Sequence, residues 1–89
     1  MQSNYKGKYD AEMTYFPGDI AYWDKDHVAI ACPGCGHVSA MHVGDPKPEK
    51  SPSWLMTGPL ERLTLAPSIN CIGCCGWHGY LVEGVFRHV

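Results

Sequence analysis

The sequence predicts a small, mainly-β, zinc-ribbon-like domain in which antiparallel hairpins are joined by one structural zinc site. Three observations carry that expectation. All five cysteines of the 89-residue chain fall in two short clusters about forty residues apart, Cys32-Pro33-Gly34-Cys35-Gly36 and Cys71-Ile72-Gly73-Cys74-Cys75-Gly76-Trp77-His78-Gly79. The apolar stretches are short, broken by Pro and Gly turns, and show no helical periodicity. A chain of this length buries too little apolar surface to be strongly stable alone, so a bound metal would be part of the fold.

Each cysteine cluster reads as half of a tetrahedral site. Two ligands two residues apart share one tight turn, and zinc accepts thiolate or imidazole at about 2.0–2.3 Å. Pro33 stiffens the first turn, and Gly36 frees the backbone just after the second ligand. A disulfide framework fits less well: five thiols are an odd number, and Met1 leads straight into the polar run Gln2 to Lys8, which does not look like a secretory signal. A reduced, cytoplasmic setting is the expectation.

Along the chain, residues 1–18 read as a tail or an edge strand ending in the Pro17-Gly18 turn, and residues 19–89 as a single domain. Ile20 to Trp23 and His27 to Cys32 flank Asp24-Lys25-Asp26, which reads as strand, turn, strand. That second strand delivers Cys32 and Cys35, and Val38 to Val43 runs back as a third. Residues 44–52 hold three prolines and mixed charge, the mark of an exposed loop. Ser53 to Thr57 and Arg62 to Leu65 resume β character around Gly58-Pro59, and Ala66-Pro67-Ser68-Ile69 leads into the second cluster. Tyr80-Leu81-Val82, the Glu83-Gly84 turn and Val85 to Val89 close the chain as a hairpin.

The second cluster holds more candidate ligands than one zinc ion uses. Cys71 with Cys74 would give a four-cysteine site, and Cys75 with His78 a three-cysteine, one-histidine site. The spacing favours the second, because Cys75-x-x-His78-Gly79 repeats the first knuckle's pattern of a glycine directly after the last ligand. The expected set is Cys32, Cys35, Cys75 and His78, with Cys71 and Cys74 as buried apolar residues, neighbours of the ligands or alternates.

With a net charge of −2 and seven basic residues scattered along the chain, no positive stripe is evident, which disfavours generic nucleic-acid binding. The apolar run Val28 to Cys32 is far short of the roughly 20 residues of a membrane helix. His27, His37, His42 and His88 read as hydrogen-bonded or surface histidines. Ser68 reads as a turn hydroxyl, since Pro67 precedes it and no base is evident in sequence. Trp23, Trp54 and Trp77 read as core, with one of them free to serve as a binding anchor.

The cysteine knuckle, Trp54, Leu65-Ala66-Pro67-Ser68-Ile69, Cys75-x-x-His78 and the hairpin at Gly84 together resemble a group of small bacterial and phage-encoded proteins. Members carry an L-x-P-S-I stretch and then C-x-x-H, some lie beside bacterial ubiquitin-like conjugation genes, and some bear an ammonia monooxygenase label. The resemblance spans about Gly18 to Phe86. It implies Cys32, Cys35, Cys75 and His78 as ligands and a phage or prophage cargo context, which would put the protein in the host cytoplasm.

Enzyme motifs are not found. No His-x-Glu precedes a Pro-Cys-x-x-Cys, and a His-Glu-x-x-His helix, a phosphate-binding Gly-rich loop and a Gly-x-Ser-x-Gly elbow are missing. A catalytic zinc keeps a position open, whereas this chain has surplus ligands. The expectation is therefore a non-enzymatic, zinc-stabilised module that binds a host or phage protein. The alternatives are a nucleic-acid-binding ribbon using the Tyr5 to Tyr9 tail and Trp77, and a small zinc hydrolase.

Overall fold

The computed structural model describes residues 1–44, 49, 52–71 and 73–89, and among these described residues eight strands follow from the alternation of apolar runs and turn residues. They are β1 (Asn4–Lys8), β2 (Asp19–Asp24), β3 (His27–Ala31), β4 (Val38–His42), β5 (Leu55–Thr57), β6 (Thr64–Asn70), β7 (His78–Val82) and β8 (Val85–His88). One 3-10 turn, Leu60–Arg62, precedes β6. The strands form two four-stranded sheets, ordered β1-β2-β3-β4 and β5-β6-β7-β8. The chain is thus a small mainly-β protein with two sheets. Most of the expected loop at 44–52 (residues 45–48, 50 and 51) lies outside the described residues.

The first sheet is a meander with one addition. β2, β3 and β4 pair antiparallel, and β1 lies parallel to β2 on the outer edge. Residues before β1 reach across to the second sheet: the Met1 ammonium donates to Phe86 O at 2.9 Å, and Phe86 N–H donates to Met1 O at 2.8 Å. The second sheet is antiparallel throughout. Its β7–β8 turn puts Glu83 at φ 46° and Gly84 at φ 81°, the two left-handed residues a two-residue hairpin turn demands.

One apolar cluster joins the sheets. Ile20, Val28, Ile30 and Met41 from the first sheet meet Leu65, Ile69, Leu81 and Phe86 from the second, with Leu63 fully buried between them. Trp54 and Trp77 pack against this cluster, each half-buried. Burial of these side chains removes apolar surface from water at about 25 cal/mol per Å², the main favourable contribution to folding. No helix among the described residues is long and apolar enough to cross a membrane.

Strand β6 departs most from the sequence expectation. Ala66 to Ile69 is not a lead-in but part of a seven-residue strand that runs through Pro67. Its ladder with β7 steps from Leu65↔Leu81 to Ile69↔Gly79, so Ala66, Pro67 and Ser68 together stand opposite Tyr80 alone. Such a bulge leaves backbone groups outside the ladder, which is why a residue without an N–H is tolerated there, and it re-aims the side chains it carries.

Candidate active site and metal centre

Both cysteine clusters sit where one antiparallel strand turns into the next. Between β3 and β4, Cys32 N–H donates to His37 O at 2.8 Å, and Gly36 N–H donates to Cys32 O at 2.7 Å. Between β6 and β7 the same pattern recurs: Cys71 N–H donates to Trp77 O at 2.8 Å, and Cys74 and Gly76 N–H donate to Cys71 O at 3.2 and 3.0 Å. Gly36 and Gly76 take φ of 81° and 76°, the left-handed conformation that lets each turn close. The turns are brought together so that Gly34 lies against Cys75 Sγ and Trp77.

The sulfurs of Cys32, Cys35, Cys74 and Cys75 all lie within 4.8 Å of one another, with Cys32 and Cys75 Sγ at 3.4 Å. A tetrahedral ion bound at 2.3 Å would need sulfurs about 3.8 Å apart, so this arrangement is compatible with a metal site. Of the expected set Cys32, Cys35, Cys75 and His78, the first three are gathered, whereas Cys74 stands in the cluster and His78 does not. Cys71, half-buried, closes the turn through its carbonyl and packs against the core.

Crowding separates the thiols chemically. Burial pushes the Cys32 thiol up to about 12, helped by the neighbouring Cys71 thiol. Desolvation among its neighbours pushes Cys74 up to about 11, and burial raises Cys71 as well. Cys35 moves the other way, because the His37 backbone N–H stabilises its thiolate.

A second arrangement lies just outside the β6–β7 turn. Ser68 Oγ, on the bulge, is 2.9 Å from His78 Nε2, on the first residue of β7. Both residues are half-buried. Leu65, Ile69 and Leu81 point into the core, so Ser68, next to Ile69, and His78, two residues before the exposed Tyr80, lie on the outer face. Trp54 fixes the serine from the side: its indole N–H donates to Ser68 O at 3.1 Å, while its own N–H donates to His42 O at 2.9 Å. A hydroxyl within hydrogen-bond reach of an imidazole is the arrangement that activates a serine nucleophile. Among the described residues the His78 ring makes no second hydrogen bond, so the pair is a dyad.

The reading of Ser68 as a plain turn hydroxyl is corrected by this contact. The histidine is ten residues downstream, and the β6–β7 hairpin carries it back. One signal was available: a hairpin closing over Cys71 to Cys75 must bring positions 68 and 78 to a diagonal across two neighbouring strands. Ser53 also meets a histidine, with Oγ 3.0 Å from His42 Nδ1, but it points to His42 O as well, at 3.4 Å. The His42 ring in turn stands edge-on to His27, centroids 5.2 Å apart.

Residues 3–89 match the family model BubE, described as bacterial ubiquitination-like system serine protease. The chain belongs to this family. No curated protein and no solved structure matches the chain. Membership in the BubE family corrects two expectations. The likeness to phage and prophage cargo proteins gives way to a family named for a protease. The expectation of a non-enzymatic interaction module, together with its nucleic-acid-binding and zinc-hydrolase alternatives, is overturned by the same match. No His-x-Glu, His-Glu-x-x-His or Gly-x-Ser-x-Gly pattern marks this pair, because a serine and a histidine on adjacent strands need no fixed local motif.

Proposed function

We propose that the chain is a serine protease acting within a ubiquitination-like system, with Ser68 as nucleophile and His78 as general base and acid. The observation that carries this reading is the 2.9 Å contact between Ser68 Oγ and His78 Nε2 in a chain of the BubE family. With its proton on Nδ1, His78 accepts the Ser68 hydroxyl proton at Nε2 as Oγ attacks the scissile carbonyl carbon. The C–N bond then breaks, and the leaving amine takes the proton from Nε2. A water molecule, deprotonated by His78, attacks the Ser68 ester and releases the acid, and the proton returns to Oγ. The protein partner expected from sequence becomes the substrate.

The cysteine cluster is read as a zinc site held by Cys32, Cys35, Cys74 and Cys75, which gives the two hairpins the character of a zinc ribbon. Four soft thiolates gathered within 4.8 Å of one another suit zinc and would leave no open position, so its work would be structural. Bound there, zinc supplies a rigid cross-link between the β3–β4 and β6–β7 turns. Asn70 pairs with His78 directly beyond the second turn, so that cross-link would fix the register in which Ser68 meets its base.

Labelling by a fluorophosphonate, which reacts with activated serines, tests the reading. The wild type and Ser53→Ala should label at similar rates. Ser68→Ala should not label, and His78→Gln should label about 10²–10⁴-fold more slowly, the range general-base catalysis contributes. Equal labelling of Ser68→Ala and the wild type would remove the dyad from the account.

A further inference from the structure

The β3–β4 hairpin has its cysteine turn at one end and a pair of histidines at the other. His27, the first residue of β3, stands directly opposite His42, the last residue of β4. The next pair outward is closed by Val43 N–H donating to Asp26 O at 2.8 Å, and the His42 carbonyl faces away from β3 to accept from Trp54 N–H at 2.9 Å. His27 and His42 are therefore a non-hydrogen-bonded pair, the kind whose opposed Cα atoms stand only about 4.5 Å apart. Val28 and Met41 point into the core, so both histidines lie on the other face of the sheet, where each is half-buried.

Each ring is held through the same nitrogen. His27 Nδ1 lies 2.9 Å from Asp24 Oδ1, and because an ionised carboxylate only accepts, Nδ1 carries the proton. His42 Nδ1 lies 3.0 Å from Ser53 Oγ, whose own hydrogen is directed to His42 O at 3.4 Å, so Oγ accepts and Nδ1 again donates. In the neutral form of both rings the lone pair is then on Nε2, and among the described residues neither Nε2 has a hydrogen-bond partner. This is the form in which histidine ligates metals: an oxygen on the second nitrogen fixes the tautomer and the ring direction and raises the basicity of the first.

The spacing fits a shared ion. Two imidazoles that bind one ion through Nε2 at about 2.0–2.1 Å and at a tetrahedral angle have centroids about 5 Å apart. Those of His27 and His42 are 5.2 Å apart, with the ring planes at 83°.

We propose that His27 and His42 form a second metal site, separate from the cysteine cluster, which takes one borderline divalent transition-metal ion such as Zn2+ or Ni2+ through the two Nε2 atoms. Imidazole suits these ions, and water fills the remaining positions. Asp24 and Ser53 are positioning residues that hold the two ligands. The ion would clamp the open end of the hairpin whose other end carries Cys32 and Cys35. This inference does not depend on the Ser68–His78 reading.

Ni2+ titrated into the zinc-loaded full chain tests the site, because the thiolates are then already occupied. Calorimetry should show one further equivalent bound per chain. Loss of an outer partner alone weakens metal binding by about 10–100-fold, so His27→Gln and His42→Gln should each lower the affinity at least 10-fold, while His37→Gln and His88→Gln keep it. In the wild type, paramagnetic Ni2+ should broaden the ring signals of His27 and His42 before those of the other histidines, a readout that needs no variant to fold. No further equivalent, an affinity kept in either His27→Gln or His42→Gln, or first broadening at another histidine would overturn the assignment.

Discussion

Gly79→Ala is the smallest change that strains the strand bearing His78, the proposed base. Gly79 is buried, follows His78 in β7 and pairs with His88 of β8. A Cβ placed there would run into the backbone carbonyl of Arg87 and come within 2.5 Å of the Trp77 indole, against an ordinary contact of 3.4 Å or more. The indole would need to recede by about 1 Å, yet it stands edge-on to Phe86 and His88 with centroids 6.0 and 5.9 Å away. The carbonyl cannot rotate away without breaking the β7–β8 ladder. Overpacking of this kind costs about 1–3 kcal/mol, and the backbone contact places this case at the upper end. For a domain of this size each kcal/mol lowers Tm by about 4–8 °C. A loss of about 12–24 °C in a circular-dichroism melt is therefore expected. Since a misplacement of about 1 Å can cost on the order of 100-fold in rate, fluorophosphonate labelling of the folded variant should slow as well. A variant with wild-type Tm and labelling rate would show that β7 is not held as described.

Chelation of the purified protein should lower Tm sharply and slow labelling. Elemental analysis should give one zinc per chain in the wild type and a clear deficit in Cys74→Ser, measured beside His78→Gln, which should retain the ion. In metal-stripped protein at neutral pH, iodoacetamide followed by peptide mass mapping should modify Cys35 first and Cys32 last, because the His37 backbone N–H favours the Cys35 thiolate while burial pushes Cys32 up to about 12. The Asp24 carboxylate accepts from His27 Nδ1 at 2.9 Å, which holds its pKa below the usual carboxylate range. A depressed folded pKa gives stability that is present above the unfolded value and lost as pH falls through the folded one. His27→Ala should return the Asp24 midpoint in an NMR titration toward the ordinary range, with only a small stability change because the pair is exposed.

The hairpins around Asp24-Lys25-Asp26 and Glu83-Gly84 were legible because turn residues and apolar alternation fix them locally. The gathering of Cys32, Cys35 and Cys75 was legible from spacing. Pro67 hid the continuity of β6, since proline argues against a strand interior and only the register step opposite Tyr80 accommodates it. The choice between Cys74 and His78 could not be read from spacing, because both lie within a few residues of the same turn, and cross-strand placement decides which side chain turns toward Ser68. The contact of Ser68 was hidden for the same reason: His78 is a neighbour across the ladder, visible only once the hairpin is closed over the second cysteine cluster.

The most direct measurement is peptide mapping of the wild-type chain after reaction with diisopropyl fluorophosphate. The account predicts a single phosphoryl adduct on the peptide that contains Ser68, absent when His78 is replaced by Gln under the same brief exposure. An adduct on Ser53 or on another hydroxyl, with Ser68 unmodified, would contradict it.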